Sequence, residues 1–293
     1  MDIQIGTCSW KYESWQGLVY SSGKPANYLH EYSQHYRTVE VDQWFWSLFA
    51  GDKVVLPKPA VVREYAASVP GDFTFCVKAP NSITLTHHYK KGKVPGPLQP
   101  NPYFLSVDLM HRFLDSLEPL HPKLGAVIFQ FEYLNKQKMP RPGEFFDRFG
   151  EFAEQLPSDF PYFVELRNAK WLNSRYFDFL AEKCLYHVFL QGYYMPSIFD
   201  LYRKHREKIQ GKSVIRLHGP DRKGIEEQTG KDWSRIVTPK DQEIRNLVGM
   251  VADLRLRHVE PCVYVNNHFE GSAPRTIEKI RQTAAEKYPL DAT

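Results

Sequence analysis

Eight short runs rich in β-branched and aromatic residues recur along this chain, and nothing else in it constrains the fold as tightly. They occupy residues 3–8, 38–42, 73–78, 124–131, 162–167, 186–191, 213–218 and 261–266. Most are followed by a segment that reads as helix. Residues 27–36 begin at an Asn suited to capping. Residues 101–118 carry Pro102 at a first helical position and put Phe104, Leu109, Phe113 and Leu117 near one face. Residues 145–156 and 241–257 repeat apolar side chains at the three-to-four spacing of a helix. Strand alternating with helix eight times over 293 residues is the count and size of a (β/α)8 TIM-type barrel, an α/β fold. A doubly wound open sheet competes less well, because no G-x-G-x-x-G or Walker-type glycine loop follows the first strand. No linker or composition shift divides the chain, so one domain over residues 1–293 is expected. Two long loops, 87–102 and 219–239, follow strands and belong on the C-terminal face of such a barrel.

Composition bounds the function more weakly. With 38 Lys+Arg against 34 Asp+Glu the formal charge is +4, too small to mark a general nucleic-acid binder. The apolar and charged shares, 42% and 25%, exclude a disordered or fibrous chain. Cys8, Cys76, Cys184 and Cys262 stand far apart, which argues against a disulfide framework and a structural zinc site. No Ser or Cys nucleophile is evident from motif. The N-terminus enters a strand without a basic or apolar leader, and no stretch of 18 apolar residues occurs. A cytoplasmic location without membrane association is the expectation.

Side chains alternate across a strand, so residues i and i+2 share a face. Polar pairs at this spacing sit near the C-terminal ends of several runs: Glu40 and Asp42, Glu165 and Arg167, Arg216 and His218, Asn266 and His268. Lys78, Gln130 and Gln191 end three more. Buried charges are unfavourable unless paired, so this ring is either a structural ion network or a site at the barrel mouth, where barrel enzymes keep their chemistry.

The strings IGTCSW, Thr38-Val39-Glu40-Val41, FCVKAP at 75–80, KLGAVIFQF at 123–131, VELR at 164–167, IRLHG at 215–219 and VNNHFEGSAP at 265–274 together resemble the DUF72, or YecE-like, family. The resemblance implies a TIM-type barrel and no particular reaction. It carries over Glu40, Lys78, Gln130, Glu165, Arg167, Arg216, His218, Asn267 and Gly271 as motif positions. Where many relatives have small polar residues and a Tyr, this chain has Asp42-Gln43-Trp44-Phe45-Trp46.

From the residues themselves, Glu165 is the first choice for a general acid or base, with Glu40 and His218 assisting. Lys78, Arg167 and Arg216 are read as anion contacts. Gln130, Gln191, Asn266, Asn267 and His268 are read as polar substrate contacts. Trp10, Trp44, Trp46 and Tyr193 supply rings for stacking on bases or sugars, with Trp15, Phe45 and Tyr194 nearby in sequence. Ser272 as N-cap and Pro274 in the first turn of a helix make the segment after the last strand a second anion candidate. The favoured reading is an enzyme acting on a phosphate-bearing or other anionic polar substrate, hydrolysis first and isomerisation second. A non-enzymatic nucleic-acid-binding protein using Lys90, Lys91 and Lys93 is one alternative. A metal-dependent isomerase or endonuclease-like barrel, with a divalent ion held by the carboxylates of strands two (Glu40, Asp42) and five (Glu165) together with His218 and His268, is another. No cofactor is identified beyond that divalent ion, the expected partner is an anionic small molecule or nucleic acid, and protein partners are left open.

Overall fold

The short runs are apolar at consecutive positions for most of their length, which puts apolar side chains on both faces of a strand and suits a sheet covered on both sides. The computed structural model describes residues 1, 3–21, 23–89 and 97–289. In it eight parallel strands close into one barrel: β1 (Gln4–Thr7), β2 (Thr38–Val41), β3 (Thr74–Lys78), β4 (Leu124–Phe131), β5 (Tyr162–Leu166), β6 (Tyr186–Gly192), β7 (Lys212–Gly219) and β8 (Glu260–Val265). They follow one another around the barrel in chain order. The circle closes where Gln4 to Thr7 pair with Cys262 to Val265. The expected (β/α)8 TIM-type barrel is the fold. A two-stranded antiparallel ladder, Leu48–Phe49 with Lys53–Val54, stands outside it.

Helices α1 (Tyr28–Ser33), α2 (Pro59–Ala67), α3 (Asn81–Thr84), α4 (Val107–Ser116), α5 (Pro142–Ala153), α6 (Ser174–Glu182), α7 (Ile198–His205), α8 (Arg222–Thr229), α9 (Asp241–Leu256) and α10 (Ala273–Lys287) connect the strands. The core is therefore double. Inside the barrel, Cys76, Ala126, Ile128, Phe163, Val188, Val214 and Tyr264 fill the lumen. Outside it, the alternate strand residues pack on the helices. Phe129 and Phe131 meet Phe145, Phe149 and Phe152 of α5 with ring centroids 4.9 to 5.5 Å apart.

Three expectations change at the level of elements. The expected helix 101–118 begins only at Val107, capped by Ser106 Oγ, which accepts the Leu109 N–H at 3.2 Å. Asn101 instead donates its amide to the Ser82 and Leu85 carbonyls, tying the preceding loop and leaving Pro102 in a turn. The helix expected at 145–156 runs Pro142–Ala153. The expected loop 219–239 contains α8, which Asp221 caps by accepting the Gly224 N–H at 2.8 Å. The other long loop is described only at 87–89 and 97–102, so Lys90, Lys91 and Lys93 lie outside the described residues.

Candidate active site at the barrel mouth

The centre of the mouth is one guanidinium. Arg216 of β7 has no exposed surface, and its three nitrogens reach three strands. Nε and Nη2 donate to the two oxygens of Glu40 on β2 at 2.6 and 2.8 Å. Nη1 donates to Gln130 Oε1 of β4 at 3.2 Å and to Glu165 Oε2 of β5. This bidentate fork is the arrangement for which arginine geometry is suited. Lys78 Nζ of β3 stands 3.3 Å from Glu40 Oε1. Arg167 Nε and Nη2 both reach Glu165 Oε1 at 2.9 Å. Both carboxylates are thus fully engaged with cations.

The electrostatics follow from those contacts. Burial alone would raise the Glu165 carboxyl, but Arg216, then Arg167 and Lys78, outweigh it and hold it down to about 2. Burial works against the Arg216 charge, yet Glu165 and Glu40 keep it ionised well above its ordinary range. Asp42 differs. It has no ion pair within the described residues, and burial raises its carboxyl, opposed mainly by Lys78. His218 is driven well below its ordinary value, first by burial and then by Arg216, Lys78 and Arg167, so its ring is neutral at physiological pH. Tyr193 Oη lies 3.2 Å from His218 Nδ1, and the Arg167 guanidinium sits 5.0 Å above the Tyr193 ring.

An acid-stability prediction follows from these directions. Buried His187, lowered to about 3 by desolvation, must charge on unfolding. A depressed histidine contributes stability that is complete above its unfolded value, about 6.5, and lost as the pH falls below it. Glu165 contributes stability present above about 4.5 and lost as the pH falls toward about 2. Urea midpoints from pH 7 down to about 2.5 should fall in two stages. Glu165→Gln should flatten only the lower stage, and an unchanged lower stage would remove Glu165 from that role.

Not every predicted site residue reaches the mouth. Gln191 points outward, with Nε2 donating to Glu243 of α9 at 2.6 Å and Oε1 accepting the Ile198 N–H of α7 at 3.1 Å. Its neighbour Leu190 pairs with Arg216 and takes the inward position. Asn267 Oδ1 accepts the Ala273 N–H at 2.8 Å, so it caps α10 and is buried away from the mouth. Ser272 is the N-cap residue as expected, but its hydroxyl makes no capping bond. Buried Glu270, bonded to Thr276 Oγ1, the Lys240 N–H and Lys279, supplies the negative charge that an anion at this helix end would have brought. His268 sits at the rim between Asn266 Oδ1 and Glu226 of α8, under Trp233 at 5.0 Å. Trp10 and Trp44 are buried around Tyr65 as loop packing, whereas Trp46 is exposed. The groups weighed as metal ligands do not assemble: Glu40 is turned to Arg216, Glu165 to Arg216 and Arg167, and His268 to Glu226. Among the described residues, no three His, Cys, Asp or Glu side chains form a cluster suited to a metal ion.

A family model described as a protein of unknown function, DUF72, matches residues 4–292. The chain belongs to the DUF72 family. The UPF0759 protein YecE of Escherichia coli K12 is 27% identical to it over 170 residues, 58% of this chain and 50% of that protein. The chain thus spans about half the length of the curated relatives it matches. A DUF72 family protein of Enterococcus faecalis V583 superimposes with a TM-score of 0.68 at 20% identity, covering 99% of this chain and 97% of that one. One from Thermotoga maritima MSB8 gives 0.65 at 19% identity, covering 96% and 98%. At those identities the likeness concerns the fold.

Within this DUF72 barrel one chemically competent side chain escaped motif reading. Cys8, immediately after β1, lies with its Sγ 3.7 Å from His218 Nε2. The available signal was parity: Cys8 is two positions beyond Gly6 and continues the inward face of β1. Helix signals offered a further limit, since no described helix is long and apolar enough to cross a membrane.

Proposed function

We propose that the mouth of the barrel binds a phosphate-bearing or otherwise anionic polar substrate and carries out hydrolase-type acid/base chemistry on it. The observation that carries this reading is the division of labour among three cations. Arg216 is buried and spent on Glu40 and Glu165, whereas Lys78 and Arg167 retain N–H groups without carboxylate partners among the described residues and are the more exposed of the three. Those free donors lie at the C-terminal end of the barrel, where a ligand enters. Glu165, held near 2, is a poor proton acceptor at neutral pH, so it positions Arg167 and Arg216. Asp42 and His218 take over the proton-handling roles, because neither is locked into an ion pair in the described residues, burial raises the Asp42 carboxyl, and His218 is held neutral.

Binding of inorganic phosphate and of phosphate monoesters by calorimetry tests the cation assignment. Lys78→Met and Arg167→Met should each weaken binding roughly tenfold to a hundredfold, the value of one charged hydrogen bond. Unchanged affinities would remove the anion reading. With a turned-over substrate in hand, Asp42→Asn should lower kcat while leaving KM near the parent value.

A second reading, single-stranded nucleic acid as ligand, is favoured by exposed Trp46, Tyr89, Tyr133 and Tyr194, which follow β2, β3, β4 and β6 and so share the mouth face. Fluorescence anisotropy with a single-stranded oligonucleotide would then show binding that weakens with salt and with Trp46→Ala.

A further inference from the structure

We propose that Cys8 is a thiol nucleophile with His218 as its base and Tyr193 as the residue that orients the imidazole, acting on an acyl ester that carries an anionic group. The anionic character of the ester rests on the reading above; the nucleophile assignment does not. Three contacts place the groups in line. Cys8 Sγ is 3.7 Å from His218 Nε2, within hydrogen-bond reach for sulfur. His218 Nδ1 is 3.2 Å from Tyr193 Oη. Arg167 covers the Tyr193 ring at 5.0 Å. In the tautomer the proposal requires, Nδ1–H donates to Tyr193 Oη and the Nε2 lone pair faces the thiol. Nucleophile, base and orienting group stand in the order covalent catalysis uses. Because burial and then the Glu40 charge push the free thiol up, the thiolate forms only as Nε2 takes its proton.

The backbone is shaped to deliver Tyr193. Gly192 has φ +137, and a Cβ there would fall against Gly219, the residue after His218. Tyr193 itself sits at φ +54, with its N–H donating to the Gly219 carbonyl at 3.0 Å. The ends of β6 and β7 are thereby pinned together beside the imidazole. Cys76 provides the contrast. It is likewise buried inside the same barrel and has no histidine partner among the described residues.

The chemistry balances without an external oxidant or reductant. Nε2 accepts the thiol proton as Sγ attacks the carbonyl carbon, forming the C–S bond and placing the carbonyl electron pair on oxygen. Collapse of that adduct breaks the ester C–O bond, and the leaving alkoxide takes the proton from Nε2. Water then attacks the thioester with Nε2 accepting its proton. The C–S bond breaks and the thiolate recovers that proton, so ester and water give acid and alcohol. Lys78 and Arg167 receive the anionic end of the ester.

The test uses the full chain with exposed Cys184 replaced by Ser, and 4-nitrophenyl hydrogen succinate as probe. The expected result is a burst of nitrophenolate and a succinyl group on the peptide containing Cys8. His218→Gln should slow that acylation on the order of a hundredfold, as loss of a general base does. Tyr193→Phe, which keeps the ring, should slow it less and serves if His218→Gln does not fold. Absence of an adduct on Cys8, labelling no faster than at Cys76, or full-rate labelling in both folded variants would overturn the proposal. Equal rates with neutral 4-nitrophenyl acetate would sink the anion reading and leave the nucleophile standing. Phosphate binding without acylation would do the reverse.

Discussion

Arg216→Met is expected to lower folding stability by about 3–5 kcal/mol, the usual consequence of removing one partner from a buried ion pair. The methionine that replaces it is apolar and of roughly similar length, so packing alone predicts far less. What dominates is the pair of carboxylates left behind. Glu40 has no exposed side-chain surface and Glu165 has 1%, so neither can turn to water when the guanidinium goes. Lys78 still neutralises part of Glu40, and Arg167 part of Glu165, which keeps the estimate within the ordinary range. Urea denaturation at pH 7 measures the loss. Adding Glu40→Gln and Glu165→Gln to Arg216→Met should recover part of it, since the buried charges disappear together. A loss below about 1 kcal/mol would show that water reaches the cluster and that the network does not hold the mouth together.

Gly6→Ala should do comparable damage by a different route. A Cβ on Gly6 would overlap the Thr38 carbonyl oxygen, while standing only 2.8 Å from the carbonyl carbon and 3.1 Å from Thr38 Cγ2. Two of those three atoms are backbone of β2, which cannot rotate aside as a side chain can. The β1–β2 joint is also the slenderest in the barrel, with the single register pair Thr7↔Val39. Relief therefore means opening the barrel, and a loss of about 4 kcal/mol or more is expected, within the range reserved for backbone and overpacking faults. Gly71→Ala is the control, because nothing lies within 4 Å of its Cβ position, and it should change stability by no more than about 0.5 kcal/mol. Thermal and urea unfolding of both variants decide the matter, and a stable Gly6→Ala would mean that β1 can shift along β2.

How much was legible in the sequence differs between fold and site. The barrel could be read because short apolar runs alternating with helical segments are a local signal that recurs eight times. Helix α4 was drawn too long because Pro102 looks like a first helical residue until the Asn101 amide is seen tied to the Ser82 and Leu85 carbonyls. Helix α8 was hidden because only Ile225 and Thr229 of its eight residues are buried, too few for a periodic stripe. At the mouth, the i, i+2 rule brought out Glu40, Glu165, Arg167, Arg216 and His218, all of which converge. It could not assign partners. Glu165 and Arg167 are neighbours on one strand, but the decisive contact is to Arg216, 51 positions away, and that contact turns a proposed proton acceptor into a fixed anion. Gln191 failed on parity, because the facing of β6 is set by Leu190 opposite Arg216 rather than by polarity at the strand end.

The seam between β1 and β8 also sets a timetable. A chain made from its N-terminus presents β1 first, yet Gln4 to Thr7 cannot complete their pairing until residues 262–265 emerge. Glu40 waits as well, hydrated, for a guanidinium 176 residues downstream. Until then the growing sheet has two open edges and a lumen that cannot be sealed. Such long-range pairing makes closure a late event. The charge cluster at the mouth is thus assembled only after β7 has emerged and the β1–β8 joint only after β8, and a nascent chain stalled before β8 would leave the lumen unclosed.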